Sequence, residues 1–536
     1  MNLLFKNANA YIDGRFSPSD IKIEDGIITA VLPAGEGSES SGCEVLDLGG
    51  KHVFPGLVDV HVHFREPGFS YKETIATGTT AAARGGYTDV CPMPNLSPVP
   101  DSPEHLEAEL KLIREQAVVN VHPYGSLTVG EKGTEASDIE GMKENVCAFS
   151  DDGVGVEEDF LMEDVMTKCK AAGKLAVAHC EFKGLMGGKH LNEGLASKAL
   201  GIAGISNESE WKMIERDISV SKKTGCGYHV CHVSTAESVR LIREAKKAGV
   251  NITCESAPHY FLLDEEVILK GAGGNPKAID SESFLSSTES NNPEINLSET
   301  GKANCESSLS GTDKDVCEAL LSETDVIKNQ VIGILRAEAE RDILRSSDSK
   351  ISAQIPPTGG SISDSSFSST ENTSAPGLIR DEKYLGRFKM NPPLRSRNDR
   401  AELLKGLLDG TIDMIATDHA PHSKEEKEKG ILGGPMGVSG LECAFPVLYT
   451  GLVKTGVISL EKLISLMSTA PSKRFGIESG IKVGASAKLC VYDLDGQFTV
   501  SGDSFASLGH FTPFEGVKVF GKCLLTVCGN RVIRNA

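Results

Sequence analysis

The chain lacks the features that would send it to a membrane, a nucleic acid or an oxidising compartment. No apolar run is long enough to span a bilayer, and no basic segment followed by an apolar stretch stands at Met1. Positive charge is in the minority. Against 75 Asp and Glu there are 55 Lys and Arg, a net charge of −20, which argues against nucleic acid or an anionic lipid surface as the main partner. The fourteen cysteines include no C-x-x-C pair. Scattered cysteines without a secretion signal read as reduced thiols, many of them buried as small hydrophobes. A cytoplasmic location is the expectation. A small anionic substrate is not excluded, because one local arginine outweighs a distant acidic surface.

What is present is a hydrophobic content of 39% over 536 residues, enough for a large core, and an α/β barrel with additions would absorb most of that length. Apolar strand candidates alternate with segments of helical period. The strands fall at Leu57–His61, Thr88–Met93, Val119–Ser126, Val146–Ser150, Lys174–His179, Tyr228–His232, Asn251–Ser256 and Ile412–Thr417. Helical spacing runs over Pro103–Gln116, Glu158–Ala172, Glu208–Lys223 and Ala236–Ala248, with Asp101-Ser102-Pro103 and Ser234-Thr235 supplying N-cap chemistry for two of them. Strands alternating with helices predict a parallel sheet, and eight repeats predict its closure.

The polar residues at the strand ends sharpen this. His61 and His63 are two apart on a strand, so both imidazoles face one side, and Arg65 follows where a guanidinium could hold an anionic substrate. Asn95, the Asp151/Asp152 pair, His179, His232 and Asp418 likewise fall at or just past the C-terminal ends of predicted strands. In a closed parallel barrel those ends share one face. An open doubly wound sheet would spread them along a line. Imidazoles and carboxylates in this number suit a two-metal site, with one of Asp151 and Asp152 facing inward. Cys180 and Cys231, each beside one of these histidines, are expected to face outward into packing and not to ligate the metal.

The ends and one internal region differ. Asn2–Leu32 and Val483–Val532 are strand-like and turn-rich, with Asp13-Gly14 and Asp25-Gly26 as hairpin signals. From about Gly271 to Arg380 the chain is rich in Ser, Thr, Asn and Glu. That composition predicts a largely disordered insertion, with Asp315–Leu344 spaced as an amphipathic helix. The expected organisation is therefore 1–54 as the first part of a small β-domain, 55–270 as barrel, 271–380 as insertion, 381–480 as barrel, and 481–536 as the second part of the β-domain.

Outside the insertion the sequence resembles a class I dihydroorotase of the amidohydrolase superfamily. The resemblance is carried by Asp59–Gly68 (DVHVHFREPG), Ala82–Thr88 (AARGGYT), Met93-Pro94-Asn95, Phe149–Gly153 (FSDDG), Ala178–Glu181 (AHCE), His229–Thr235 (HVCHVST), Lys389–Leu394 (KMNPPL) and Ile415–His422 (IATDHAPH). It implies a (β/α)8 TIM barrel with a small β-sandwich domain formed by both termini. It also implies one or two Zn2+ ions held by His61, His63, Asp152, His179, His232 and Asp418. Asp152 stands where many amidohydrolases carry a carboxylated lysine, as in the bacterial subgroup that lacks it. His63, Arg65, Asn95, Asn391, His422, Met436 and Gly437 match the family's substrate contacts. Asn95 is followed by leucine where threonine is usual.

The implied activity is the reversible cyclisation of N-carbamoyl-L-aspartate to L-dihydroorotate in de novo pyrimidine biosynthesis, with Asp418 as proton shuttle. Two other readings are weighed against it. An allantoinase or hydantoinase would share the metal pattern, but its substrate needs no matching carboxylate grip, so Arg65 and Asn95 favour dihydroorotate. An inactive scaffold binding aspartate transcarbamoylase would be expected to have lost metal ligands, and all six are present. Homo-oligomer formation and association with aspartate transcarbamoylase are left open by the sequence; nucleic acid and membrane are not expected partners.

Overall fold

Alternating strands and helices along residues 57–272 and 385–417 close on themselves in the computed structural model, which describes residues 1–39, 41–272 and 385–535. The described residues fall in one compact unit. The insertion expected at 271–380, with its helix at Asp315–Leu344, lies outside the described residues from position 273 onward.

The chain opens with five strands, β1 (Asn2–Ile12), β2 (Arg15–Glu24), β3 (Ile27–Pro33), β4 (Glu44–Asp47) and β5 (His52–Pro55). Eight follow as β6 (Leu57–Val62), β7 (Tyr87–Pro92), β8 (Asn120–Val121), β9 (Phe149–Ser150), β10 (Ala176–Ala178), β11 (Tyr228–Val230), β12 (Ile252–Ser256) and β13 (Met414–Ile415). The last three are β14 (Lys488–Thr499), β15 (Lys518–Cys528) and β16 (Arg531–Arg534).

Strands β6 to β8 pair in parallel, as do β9 to β13. Two parallel bridges join the arcs. Gly125 pairs with Phe149, and Val62 with His419, so the ring is complete. This is the eight-stranded barrel the alternation predicts, although several strands are shorter than expected because the chain leaves regular pairing early where polar residues turn into the mouth. The helices Pro103–Gln116 and Ala236–Lys247 begin at the predicted caps. Ser102 accepts from the His105 amide, and Thr235 from the Ser238 amide.

Strands from both ends of the chain share one sheet, in the order β16-β15-β14-β5-β1-β2-β3 with β4 on β1. It covers a core of its own that includes Phe5, Ile21, Val53, Leu489 and Val527. Antiparallel pairing of β5 with β14 (Val53 opposite Val491) links the first strands to the last. β5 runs almost directly into β6, so this sheet anchors the strand that carries the two histidines.

Candidate metal and substrate site

Strand β6 does not alternate regularly. Val58 and Val60 pack in the barrel interior with Cys91, Met93, Val177 and Met414, whereas Val62 and Phe64 belong to the packing that surrounds the barrel. Between Asp59 and Val62 the pairing with β7 slips, three steps on β6 against two on β7 (Asp59 opposite Val90, Val62 opposite Pro92). The extra residue is a bulge, which re-aims the side chains after it. His61 therefore faces inward directly after Val60, and His63 follows on the same side.

Each of the two imidazoles is held through Nδ1. His61 Nδ1 lies 2.7 Å from Glu255 Oε1, and Glu255 Oε2 lies 3.2 Å from His229 Nε2. His63 Nδ1 lies 3.0 Å from Asn95 Oδ1. A proton on each Nδ1 satisfies both bonds and points Nε2 into the barrel mouth. There His61 Nε2 is 3.4 Å from Asp152 Oδ1 and 3.6 Å from Asp418 Oδ1, while His63 Nε2 is 3.5 Å from Asp152 Oδ2 and 3.4 Å from Asp418 Oδ1. His232 Nε2 and His179 Nδ1 each stand 3.9 Å from Asp152 Oδ1.

The six residues converge, in two sets of close ligand atoms: His61, His63 and Asp418, and His61, Asp152 and His232. His179 joins neither set directly; its Nδ1 lies 2.8 Å from His232 Nε2. Asp152 turns inward, while its neighbour Asp151 accepts from the Thr128 amide at 3.0 Å and holds the preceding loop.

The electrostatics fit a divalent cation. Burial alone would raise the Asp418 carboxyl, but His63, His61 and His232 bring it down to about 2. Burial also opposes ionisation of Asp152, yet His61 first, then His63 and His179, hold it well below the usual carboxylate range. Burial lowers His232 to about 3, with His179 and His61 adding to it, so its ring is neutral. His63 is lowered by burial and then by Arg65. His61 and His179 are the exceptions: Asp152 outweighs the burial of His61 and raises it, and Glu181 with Asp152 does the same for His179. Buried His61 Nε2 and Asp152 Oδ1 have no hydrogen-bond partner, although unpaired buried polar atoms are rare. Two ionised carboxylates, converging imidazole nitrogens and two orphaned atoms at one point form a donor set suited to metal.

Cys231 departs from expectation. Cys180 packs outward, its Sγ 3.1 Å from the Tyr228 hydroxyl. Cys231 instead belongs to the barrel-interior cluster and lies close to His61 and Glu255. Alternation holds only while a strand continues, and β11 ends at Val230. His232 then takes φ +32°, so both Cys231 and His232 face inward. Burial raises the Cys231 thiol and keeps it protonated.

The expected substrate contacts lie around these candidate ligands. Arg65, at φ +57°, has a buried Nε without a partner. With its Oδ1 taken by His63, Asn95 keeps its amide hydrogens for another acceptor. Asn391 places Nδ2 3.4 Å from His179 Nε2, and its buried Oδ1 is unpaired; a turn residue would have faced solvent. His422 Nε2 lies 2.7 Å from the Met436 carbonyl oxygen. Gly437, at φ +132°, leaves no room for a Cβ, which would lie 2.4 Å from the Ala420 oxygen.

Sequence reasoning missed three residues. Lys427 is buried and donates to the carbonyls of Lys389 (3.0 Å), Pro435 (3.1 Å) and Gly437 (2.8 Å), tying the Asn391 loop to the Met436–Gly437 loop. Lys72 reaches His422 from the loop after β6. Neither stands out in the sequence. Glu255 does carry a signal, as the one charge inside an otherwise strand-like run.

A family model described as dihydro-orotase-like matches residues 50–238. The chain is 38% identical over 531 residues to a dihydroorotase of Staphylococcus aureus, covering 99% of this chain and 98% of that protein. It is 38% identical over 536 residues to a dihydroorotase of Bacillus cereus, with the same coverage. Among solved structures it is similar to the L-hydantoinase (dihydropyrimidinase) of Arthrobacter aurescens, with a TM-score of 0.69 and 22% identity, covering 100% of this chain and 96% of that one. The dihydropyrimidinase of Brevibacillus agri also gives a TM-score of 0.69, at 18% identity over 100% of this chain and 95% of that one. At these identities the structural likeness speaks for the barrel fold alone.

Proposed function

This chain belongs to the dihydroorotase family, and from that membership we propose that it catalyses the reversible ring closure of N-carbamoyl-L-aspartate to L-dihydroorotate in pyrimidine biosynthesis. The observation that carries the proposal is one arrangement: Arg65, with an unpartnered buried Nε, stands beside the His63–Asn95 pair and within the field of Asp152 and Asp418. A cyclic amide that carries a carboxylate needs that combination; one without a carboxylate does not.

Zinc is the metal we propose, as one or two ions held by His61, His63, Asp152, His179, His232 and Asp418; when bound it supplies the Lewis acidity that makes water nucleophilic at neutral pH and stabilises the oxyanion. The protein's own groups do the rest. Arg65, Asn95 and His422 hold the substrate carboxylate, the guanidinium through paired N–H donors. Asn391 and the backbone at Met436 and Gly437 line the other side of the ring. In the hydrolytic direction water adds to the ring amide carbonyl and the C–N bond breaks. Asp418, ionised in the resting site, accepts the water proton and delivers it to the departing ring nitrogen. Ring closure reverses each transfer.

We place this chemistry in 55–270 and 381–480, with 1–54 and 481–536 as the supporting β-domain. Among the described residues no helix is long and apolar enough to cross a membrane; a cytoplasmic site of action is part of the proposal. The deciding experiment measures turnover of L-dihydroorotate, allantoin and hydantoin by the purified protein before and after chelation, with zinc added back. Zinc-restored turnover of dihydroorotate is expected. Turnover of either rival alone would overturn the substrate.

A further inference from the structure

Lys72 lies between the Asp59–Gly68 and Ala82–Thr88 motifs and has no role in the chemistry described so far. Its ammonium is 3.2 Å from His422 Nδ1 and 3.2 Å from Glu426 Oε1. The two nitrogens of His422 therefore have unlike neighbours. A carbonyl oxygen can only accept, so Nε2, 2.7 Å from Met436 O, carries a proton. An ammonium can only donate, so Nδ1 is bare. Burial, reinforced by the positive charges of Arg65, Lys72 and Lys427, brings this imidazole down to about 2, so it takes no second proton.

Glu426 makes the arrangement informative. Its Oε2 is 3.6 Å from the same Nδ1, and it also accepts from the Ser423 amide at 3.2 Å. Without the ammonium between them, this carboxylate would draw the ring proton to Nδ1. Nε2 would then be a lone pair, which repels a substrate carboxylate where Nε2–H would bind it.

We propose that Lys72 is a specificity-determining positioning residue: by donating into His422 Nδ1 it keeps the imidazole in its Nε2–H form, so that His422 and Arg65 together grip the substrate carboxylate. In the free protein that hydrogen rests on the Met436 carbonyl. A carboxylate is the stronger, charged acceptor and takes it over on binding. The positive charge at Nδ1 also strengthens Nε2–H as a donor. This inference rests on the reaction proposed above.

The test combines kinetics with imidazole tautomers read by 15N NMR. Lys72→Met is expected to raise the KM for L-dihydroorotate about tenfold or more while kcat changes less than about threefold, the pattern of lost substrate binding. Lys72→Arg, which restores a donor, should show a smaller rise. Adding Glu426→Gln to Lys72→Met should recover much of the KM, because the amide no longer attracts the ring proton and can itself donate to Nδ1. The NMR signature of His422 should be Nε2–H in the unaltered protein and Nδ1–H in Lys72→Met.

If Lys72 served only as an ion-pair partner for Glu426, the double variant could recover as well, but His422 in Lys72→Met would keep its Nε2–H signature. That result overturns the proposal, as does a double variant that binds no better than the single one. So does an unchanged KM in Lys72→Met. An Nδ1–H signature in the unaltered protein overturns it without any variant having to fold. Absence of dihydroorotate turnover by the unaltered protein overturns the reaction, and with it the substrate named here, whereas the spectrum judges Lys72 by itself.

Discussion

His61 and Glu255 come from the first and seventh strands of the barrel, β6 and β12, yet Nδ1 and Oε1 stand 2.7 Å apart. The carboxylate is held down to about 2 by His229 and His61 against the pull of burial, so it is charged at every working pH. It fixes the ring orientation of His61 and leaves Nε2, unpartnered, facing Asp152 and Asp418. A carboxylate behind an imidazole is the usual means of making it a better metal ligand.

Glu255→Gln should therefore weaken metal retention, by about tenfold or more, without touching the substrate side of the site. Metal content after stepwise dialysis against a chelator measures this. Metal retention equal to that of the unaltered protein would show that Glu255 only fills space.

Asp418→Asn removes the proton acceptor but keeps the size of the side chain. Turnover should fall by about 10²–10⁴-fold, the range for loss of a positioned acid–base group, with the melting temperature little changed. Steady-state kinetics beside a thermal melt separates the two effects.

Arg65→Ala should raise KM for dihydroorotate by about tenfold to a hundredfold, and Arg65→Lys should recover only part of this, since a single ammonium cannot reproduce the guanidinium fork. Comparing dihydroorotate with dihydrouracil, which lacks the carboxylate, provides the control. The variants should affect the second compound far less.

Glu109 offers a pH-dependent prediction away from the site. It is buried on the helix Pro103–Gln116 with both carboxyl oxygens unpartnered, and burial raises its carboxyl well above the usual range. The unfolded chain releases this proton near the ordinary glutamate value of about 4.3, while the folded chain keeps it. Above that pH the folded state binds more protons than the unfolded one, so stability falls as pH rises. Glu109→Met should therefore stabilise the protein by about 1–3 kcal/mol at pH 8 and by less at pH 4.5. Melting curves at both values test it; an equal gain at the two would contradict the assignment.

Much of the architecture was legible before any coordinates. Short apolar runs located the barrel strands, and period-3.6 spacing located the helices Pro103–Gln116 and Ala236–Lys247, which are long enough for periodicity to dominate. His61, His63, His179, His232 and Asp418 stood out as polar groups ending apolar strands, with one of Asp151 and Asp152 beside them; the choice of Asp152 came from the family resemblance. Local rules failed where a strand stopped being regular. The bulge in β6 lets Val60 and His61 both face inward, and the early end of β11 turns Cys231 into the interior beside His61.

The order of side chains along the backbone determined by itself that the chain would close into a parallel barrel and collect imidazoles and carboxylates at one mouth, because alternation and strand-end placement are local properties. Tertiary structure decided which proton each imidazole carries. That choice depends on partners such as Glu255 for His61, Asn95 for His63 and Lys72 for His422, which are brought within hydrogen-bond reach only by closure of the ring and the packing of its loops.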